Sequence, residues 1–166
     1  FIGIAANKMW SYLKTTYNIT HPVGTLKEME KSRKYELLKA RELDTFSGIP
    51  KLLTQAQAQG IKMAVASSSP KKNIELVIEK LGFRDFFEVV LSGEEVANGK
   101  PAPDIFLRAS LQVEVSATHA LVIEDSRNGA LAAKAAEITC VGFKSPHSGD
   151  QDLGSCELVV DNFGEE

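Results

Sequence analysis

Short apolar runs alternate with helix-forming segments along most of the chain, and this alternation limits the fold more than any other feature. Ile61 to Ala66, Val89 to Leu91, Ala120 to Ile123, Thr139 to Val141 and Leu158 to Val160 are too short for helices. They also lack the polar alternation of a half-exposed strand, so they read as strands of a sheet covered on both faces. Helical patterns lie between them: Lys51 to Gln59 closed by Gly60, Pro70 to Leu81 closed by Gly82, Pro103 to Gln112, and Asn128 to Ala136. Proline at a helix start and glycine just past its end mark where each helix can begin and stop. Strand and helix in alternation predict an α/β fold, a doubly wound parallel (Rossmann-like) sheet.

Before Ser47-Gly48-Ile49-Pro50 the pattern is different. From Ala5 to about Leu43 it is helical: Met9, Trp10, Leu13 and Tyr17 recur at spacings of three and four, and Leu26, Met29, Leu37 and Leu38 mark a second, charged helix beyond Asn18 to Gly24. The expected organisation is an all-helical unit over residues 1–45 and an α/β unit over 46–166. Trp10 is expected to anchor a core rather than to stack on a ligand. Phe1-Ile2-Gly3-Ile4 opens the sequence without an initiator Met, which suggests that polypeptide is missing upstream.

Composition narrows the partners. With 43% hydrophobic and 25% charged residues among 166, and a net charge of −3, nothing draws the chain towards nucleic acid or an acidic membrane surface. A small ligand and a monomer are expected, with no nucleic-acid or membrane partner. No apolar run approaches a membrane span, and the chain opens on no leader-like segment. Two cysteines make no disulfide framework, and Cys140, inside ITCVGF, reads as a buried inert thiol. A reducing, cytoplasmic compartment fits these features. His21, His119 and His147 lie in unrelated segments without ligand spacing, so no zinc site is expected.

In an open α/β sheet, ligands gather beyond the carboxyl ends of the strands. The residues at those ends are Ser67, Ser68 and Ser69 after MAVA, Lys100 after the second strand, and Glu124 and Asp125 after ALVI. Ser69 before Pro70 has the form of a helix cap, which leaves Ser67 and Ser68 unexplained; hydroxyls at a helix amino end also suit a phosphate. Lys100, held between Gly99 and Pro101, would aim an ammonium into the same crevice. Lys71 and Lys72 read as a solvated helix face that adds positive field near the serines. Adjacent carboxylates at a buried strand end need compensation, and a hard ion such as Mg²⁺ supplies it. The other reading makes Asp125 or Ser126 the cap of the following helix.

Taken in order, ASSS, GKPAPDIF and VIEDSRNG resemble the motifs of the haloacid dehalogenase-like hydrolase superfamily, in its beta-phosphoglucomutase and sugar-phosphatase branch. The resemblance covers nearly the whole chain. It implies that Ser67 binds the transferring phosphoryl group with Ser68 and Ser69 lining the same loop, and that Lys100 neutralises it. It also implies that Glu124 and Asp125 hold Mg²⁺, and that residues 1–45 are part of a helical cap. The family's first motif, a strand ending in Asp-x-Asp, is absent; Asp150-Gln151-Asp152 lies in a polar loop. The first Asp of that motif is the nucleophile that becomes an aspartyl phosphate, so it is expected upstream of this chain, and the core is expected to lack its first strand.

The expected function is therefore Mg²⁺-dependent phosphoryl transfer on a small phosphorylated metabolite, a sugar phosphate, by the intact protein, with the 166-residue chain itself inactive. A beta-phosphoglucomutase-like isomerase and a non-catalytic phosphate-binding relative are the alternatives. Aligning Phe1 to Ala6 with the mutase's Gly-Ile-Ser-Arg segment puts Ala6 at the Arg that grips a distal phosphate, which favours hydrolysis. A receiver-like or flavodoxin-like module would use the same crevice without the three ordered motifs.

Overall fold

The computed structural model describes residues 6–164. Phe1 to Ile4, the abrupt opening aligned above with the mutase segment, and the expected helix start at Ala5 lie outside them. The chain divides into two compact units between Glu42 and Leu43.

The first unit is a helix pair, α1 (Ala6–Thr16) and α2 (Val23–Ala40). Pro22 stands at the start of α2, where a missing N–H costs nothing. Leu26 is the buried residue of α2, so this helix carries little core of its own. What ties the pair is partly polar: the indole N–H of Trp10 donates to Oε2 of Glu30 at 2.5 Å. The Lys34 ammonium, 2.5 Å from the other Glu30 oxygen, is the main reason that carboxyl titrates below its usual range; the Trp10 bond adds to this and partial burial opposes it.

The second unit begins with α3 (Ile49–Ala58). Its cap residue Gly48 has φ +82°, and a Cβ built there would lie 2.6 Å from the carbonyl oxygen of Phe163 and 2.7 Å from that of Gly164. Only glycine allows the C-terminal segment to cross so close. Then follow β1 (Ala64–Ser67), α4 (Lys71–Lys80), β2 (Val89–Ser92), α5 (Asp104–Gln112), β3 (Leu121–Glu124), α6 (Arg127–Ala135), β4 (Thr139–Phe143) and β5 (Leu158–Val160). Each element anticipated from the apolar pattern is present, with ends moved by at most three residues. The first strand starts at Ala64, not Ile61, because Ile61 and Lys62 are exposed and Lys62 turns away to donate to the carbonyl of Val113 at 2.8 Å.

All strand pairing is parallel, as expected, but among the described residues it forms two pieces, β1-β2 and β3-β4-β5. Among the described residues β1, β2, β3 and β5 each have a neighbour on one side only. A shared core lies beneath both pieces: Leu91 of β2, Ile105 and Phe106 of α5, Val122 of β3, Ala132 and Ala133 of α6 and Cys140 of β4. The alanines of α6, fully buried, let the helix lie close to the strands. On the opposite face α4 packs Ile74 and Ile78 against Val90.

That second face is only partly covered. The rings of Phe46 and Phe163 lie 4.9 and 4.5 Å from Phe143 of β4, whereas Leu121 and Ile123 of β3 are 59% and 47% exposed. Alternating apolar residues thus lie open beside the unpaired edge of β3, and β5, at the other edge of this piece, also leaves Leu158 and Val159 exposed. No helix among the described residues is long and apolar enough to cross a membrane.

Candidate functional site

What gathers at the carboxyl ends of the strands follows from where each strand stops: β1 at Ser67, β2 at Ser92, β3 at Glu124. Lys100 follows β2 in the Gly99-Lys100-Pro101 turn, whose Lys100–Pro101 peptide is cis. The Lys100 side chain is only 8% exposed. Its ammonium donates to the carbonyl oxygen of Ala66, at 3.1 Å, and to Oε1 of Glu124, and it lies 4.5 Å from the centre of the Phe106 ring. A buried charge needs such partners. One cation thus joins the strand that ends in Ser67 to the strand that ends in the carboxylate pair.

Glu124 is equally enclosed, at 10% exposure. Its Oε2 accepts the N–H groups of Asp125 and Ser126 at 3.0 and 3.1 Å and the Ser126 hydroxyl at 2.9 Å. Ser126 is also the N-cap of α6, its Oγ accepting the N–H of Gly129 at 3.1 Å. Of the two cap candidates, Ser126 fills the role, which leaves Asp125 for other work. Asp125 accepts the Ser148 hydroxyl on Oδ2, and among the described residues its Oδ1 has no donor. No group of three or more His, Cys, Asp or Glu side chains among the described residues is arranged to hold a metal.

The serine loop corrects the helix-cap reading. Pro70 occupies the N-cap position of α4 and no side chain caps that helix. The Oγ of Ser67 accepts the N–H of Ser69 at 3.2 Å, and the carbonyl of Ser69 receives the hydroxyl of Ser92 at 2.7 Å. Ser69 is thus bound through its backbone, and the Ser68 and Ser69 side chains stay exposed. Lys71 is not the solvated residue expected. Its ammonium turns inward to the carbonyl of Val90 and lies 3.3 Å from Oε2 of Glu95.

Several supporting residues escaped the sequence reading. Ser92, fully buried, forms a capping box with Glu95 while fixing the serine loop. The bond from the Ser92 N–H, with Lys71 beside it, holds the Glu95 carboxyl below its usual range. Its signal was available, because Ser92-Gly93-Glu94-Glu95 has the Ser-x-x-Glu form. Ser148 and Gly129 had no such signal. Ser148 reaches Asp125 from a distant loop, and Gly129 matters because any side chain there would occupy the space of Glu124.

The structure therefore brings Lys100 and Glu124 into contact, ties them to the Ser67 strand end through Ala66, and sets Asp125 next in sequence to Glu124. Such a constellation suits an anionic ligand on the serine and lysine side and a cation on the carboxylate side.

Residues 1–143 match the family model described as haloacid dehalogenase-like hydrolase. The chain is 30% identical over 150 residues to Protein CbbY of Cereibacter sphaeroides, covering 87% of this chain and 64% of that protein. It is 37% identical over 132 residues to the beta-phosphoglucomutase of Bacillus subtilis, covering 78% of this chain and 56% of the mutase. The chain thus spans less than two thirds of the length of these relatives. Among solved structures, CbbY from Rhodobacter sphaeroides in complex with xylulose-(1,5)bisphosphate superposes with a TM-score of 0.79 at 28% identity, over 87% of this chain and 66% of that one. With the motifs, the parallel α/β core and the family match in agreement, this chain belongs to the haloacid dehalogenase-like hydrolases.

Proposed function

We propose that residues 46–166 form the phosphate-binding part of a Mg²⁺-dependent phosphoryl-transfer site, that residues 1–45 are part of its helical cap, and that the intact protein is a phosphatase of sugar phosphates. The carrying observation is the bridge made by Lys100 between the Ala66 carbonyl and Glu124. It sets one ammonium between a hydroxyl-bearing strand end and a carboxylate-bearing one. In this reading Lys100 offsets charge on the phosphoryl oxygens, Ser67 donates its hydroxyl to one of them, and Ser68 and Ser69 line the same loop. The exposed hydroxyls of the last two are accessible to such a ligand.

The nucleophile in this proposal is an aspartate from a segment outside these residues, carried on a strand that pairs with the open edges of β1 and β3. It attacks phosphorus to form an aspartyl phosphate as the bond from phosphorus to the sugar oxygen breaks and the sugar leaves as its alcohol, and water then hydrolyses the aspartyl phosphate to inorganic phosphate and the free carboxylate. The one-sided pairing of β1 and β3 and the bare Leu121 and Ile123 support it.

The carboxylate pair fits Mg²⁺, which needs only one or two protein carboxylates beside water and phosphate oxygens. Asp125, whose Oδ1 has no donor among the described residues, would hold the ion directly, and Glu124, its oxygens taken by Lys100, Asp125 and Ser126, would add negative charge beside it. When bound, the ion supplies charge neutralisation at the phosphoryl oxygens.

A mutase is the second reading, favoured by the 37% identity to a beta-phosphoglucomutase. Incubating the intact protein and Mg²⁺ with a panel of sugar phosphates separates the two. Release of inorganic phosphate is expected, whereas an isomeric sugar phosphate without release would establish the mutase, and neither product would leave a phosphate-binding relative. Asp125→Asn is expected to lower Mg²⁺-dependent turnover by about a thousandfold, since metal stabilisation of this kind amounts to several kcal/mol. An unchanged rate would remove Asp125 from the metal site.

A further inference from the structure

The cysteines are far apart in sequence but not in space. The sulfurs of Cys140 and Cys156 are 3.2 Å apart. Cys140, in the middle of β4, is 1% exposed, while Cys156, just before β5, is half-buried. Backbone bonds hold both in place: Cys140 donates its N–H to Oε2 of Glu157 at 2.6 Å and accepts the N–H of Glu157 on its carbonyl at 3.0 Å, and Cys156 donates to the carbonyl of Leu153 at 2.9 Å. Gly142 leaves room for this arrangement, since a Cβ there would lie 3.1 Å from the Cys156 sulfur.

We propose that Cys140 and Cys156 are a reversible oxidation site, which peroxides convert to an intramolecular disulfide. A disulfide needs the sulfurs only about 1 Å closer, within reach of a small change in side-chain torsion. The partly exposed Cys156 reacts first: its sulfur attacks the peroxide, an S–O bond forms, the O–O bond breaks, and water leaves. The sulfur of Cys140 then displaces the hydroxyl from that sulfenic acid. The S–S bond forms as the S–O bond breaks, and the thiol proton leaves with the second water. The two sulfurs together give up two electrons, and the peroxide accepts them.

The order follows from exposure. Burial, the neighbouring Cys156 thiol and the carboxylates of Glu124 and Glu157 push the Cys140 thiol well above its usual range, so it suits the second step and not the first. The bond would close the loop running from β4 to β5, which carries Ser148 to Asp125 and Gln151 to the N–H of Arg127. Oxidation would therefore tie down a segment that touches the end of β3.

The test needs no turnover, so its result is separate from the phosphoryl-transfer reading. The reduced chain is treated with hydrogen peroxide, then alkylated and measured by intact mass and peptide mapping. The expected result is a loss of about 2 Da, both thiols protected, a linked peptide pair, and full reversal by dithiothreitol. The Cys156→Ser chain should form no such link, and the oxidised wild type should melt roughly 5–10 °C higher, because a loop of this length is closed in the unfolded chain. Two alkylatable thiols after treatment, added oxygen without a link, a link between two chains, or an unchanged or lower melting temperature would each overturn the proposal.

Discussion

Lys100→Met is expected to destabilise the α/β unit by about 3 kcal/mol, read as a lower urea midpoint at unchanged slope. Lys100 and Glu124 are 8% and 10% exposed, so neither charge can turn to water when its partner is removed. Methionine keeps most of the side-chain volume, and its thioether suits the face of Phe106, so the loss reads the charge and not a cavity. Removing one member of a buried pair costs roughly 3–5 kcal/mol, and the lower figure applies here because Glu124 retains three donors from Asp125 and Ser126. The pair can be isolated by a cycle with Glu124→Gln. If the bridge is the cause, the second substitution should cost about 2 kcal/mol less in the Lys100→Met background than in the wild type. Additive losses would mean that the two residues support the fold separately.

The extent to which this bridge was legible in the sequence has a physical explanation. Strand ends and helix punctuation are local, so Ser67, Lys100, Glu124 and Asp125 could be placed at or just beyond the carboxyl ends of strands from apolar runs alone. Which of them would meet is not local. Glu124 and Asp125 read as an equivalent pair of carboxylates, yet the first faces inward to Lys100 and the N–H groups of Asp125 and Ser126, while the second takes a hydroxyl from Ser148. The inward turn of Lys71 was hidden because its partners, Val90 and Glu95, lie on the next strand and the turn after it. The approach of Cys156 to Cys140 depends on the path of the loop between β4 and β5, which no short-range pattern encodes. The division of the described sheet into two pieces was not legible either, because which strands pair depends on contacts between segments far apart in the chain.

Gly129→Ala reverses what helix propensity alone would suggest. Gly129 lies in the first turn of α6, and alanine in a helix is ordinarily favoured over glycine by about 1 kcal/mol. Yet a Cβ at this position would fall 1.9 Å from Cδ of Glu124 and 2.1 and 2.2 Å from its two oxygens. Those atoms are the centre of a buried ion pair, and the carboxylate cannot move without leaving Lys100 or the donors of Asp125 and Ser126. Overpacking of a tight site costs about 1–3 kcal/mol, and displacing the carboxylate adds part of the buried-pair loss. A net destabilisation of about 3 kcal/mol by urea unfolding is expected. Gly24→Ala is the matched control, because nothing lies within 4 Å of a Cβ at that position of α2, and it should stabilise by less than about 1 kcal/mol. The cause is identified by the background: with Glu124→Ala already in place the obstruction is gone, and Gly129→Ala should become neutral or stabilising. A loss that persisted in that background would assign the requirement for glycine to the helix backbone. A change of sign would show that position 129 is kept free of a side chain by Glu124, and through it by Lys100, so that a helix residue with no side chain sets where the charges at the strand ends can stand.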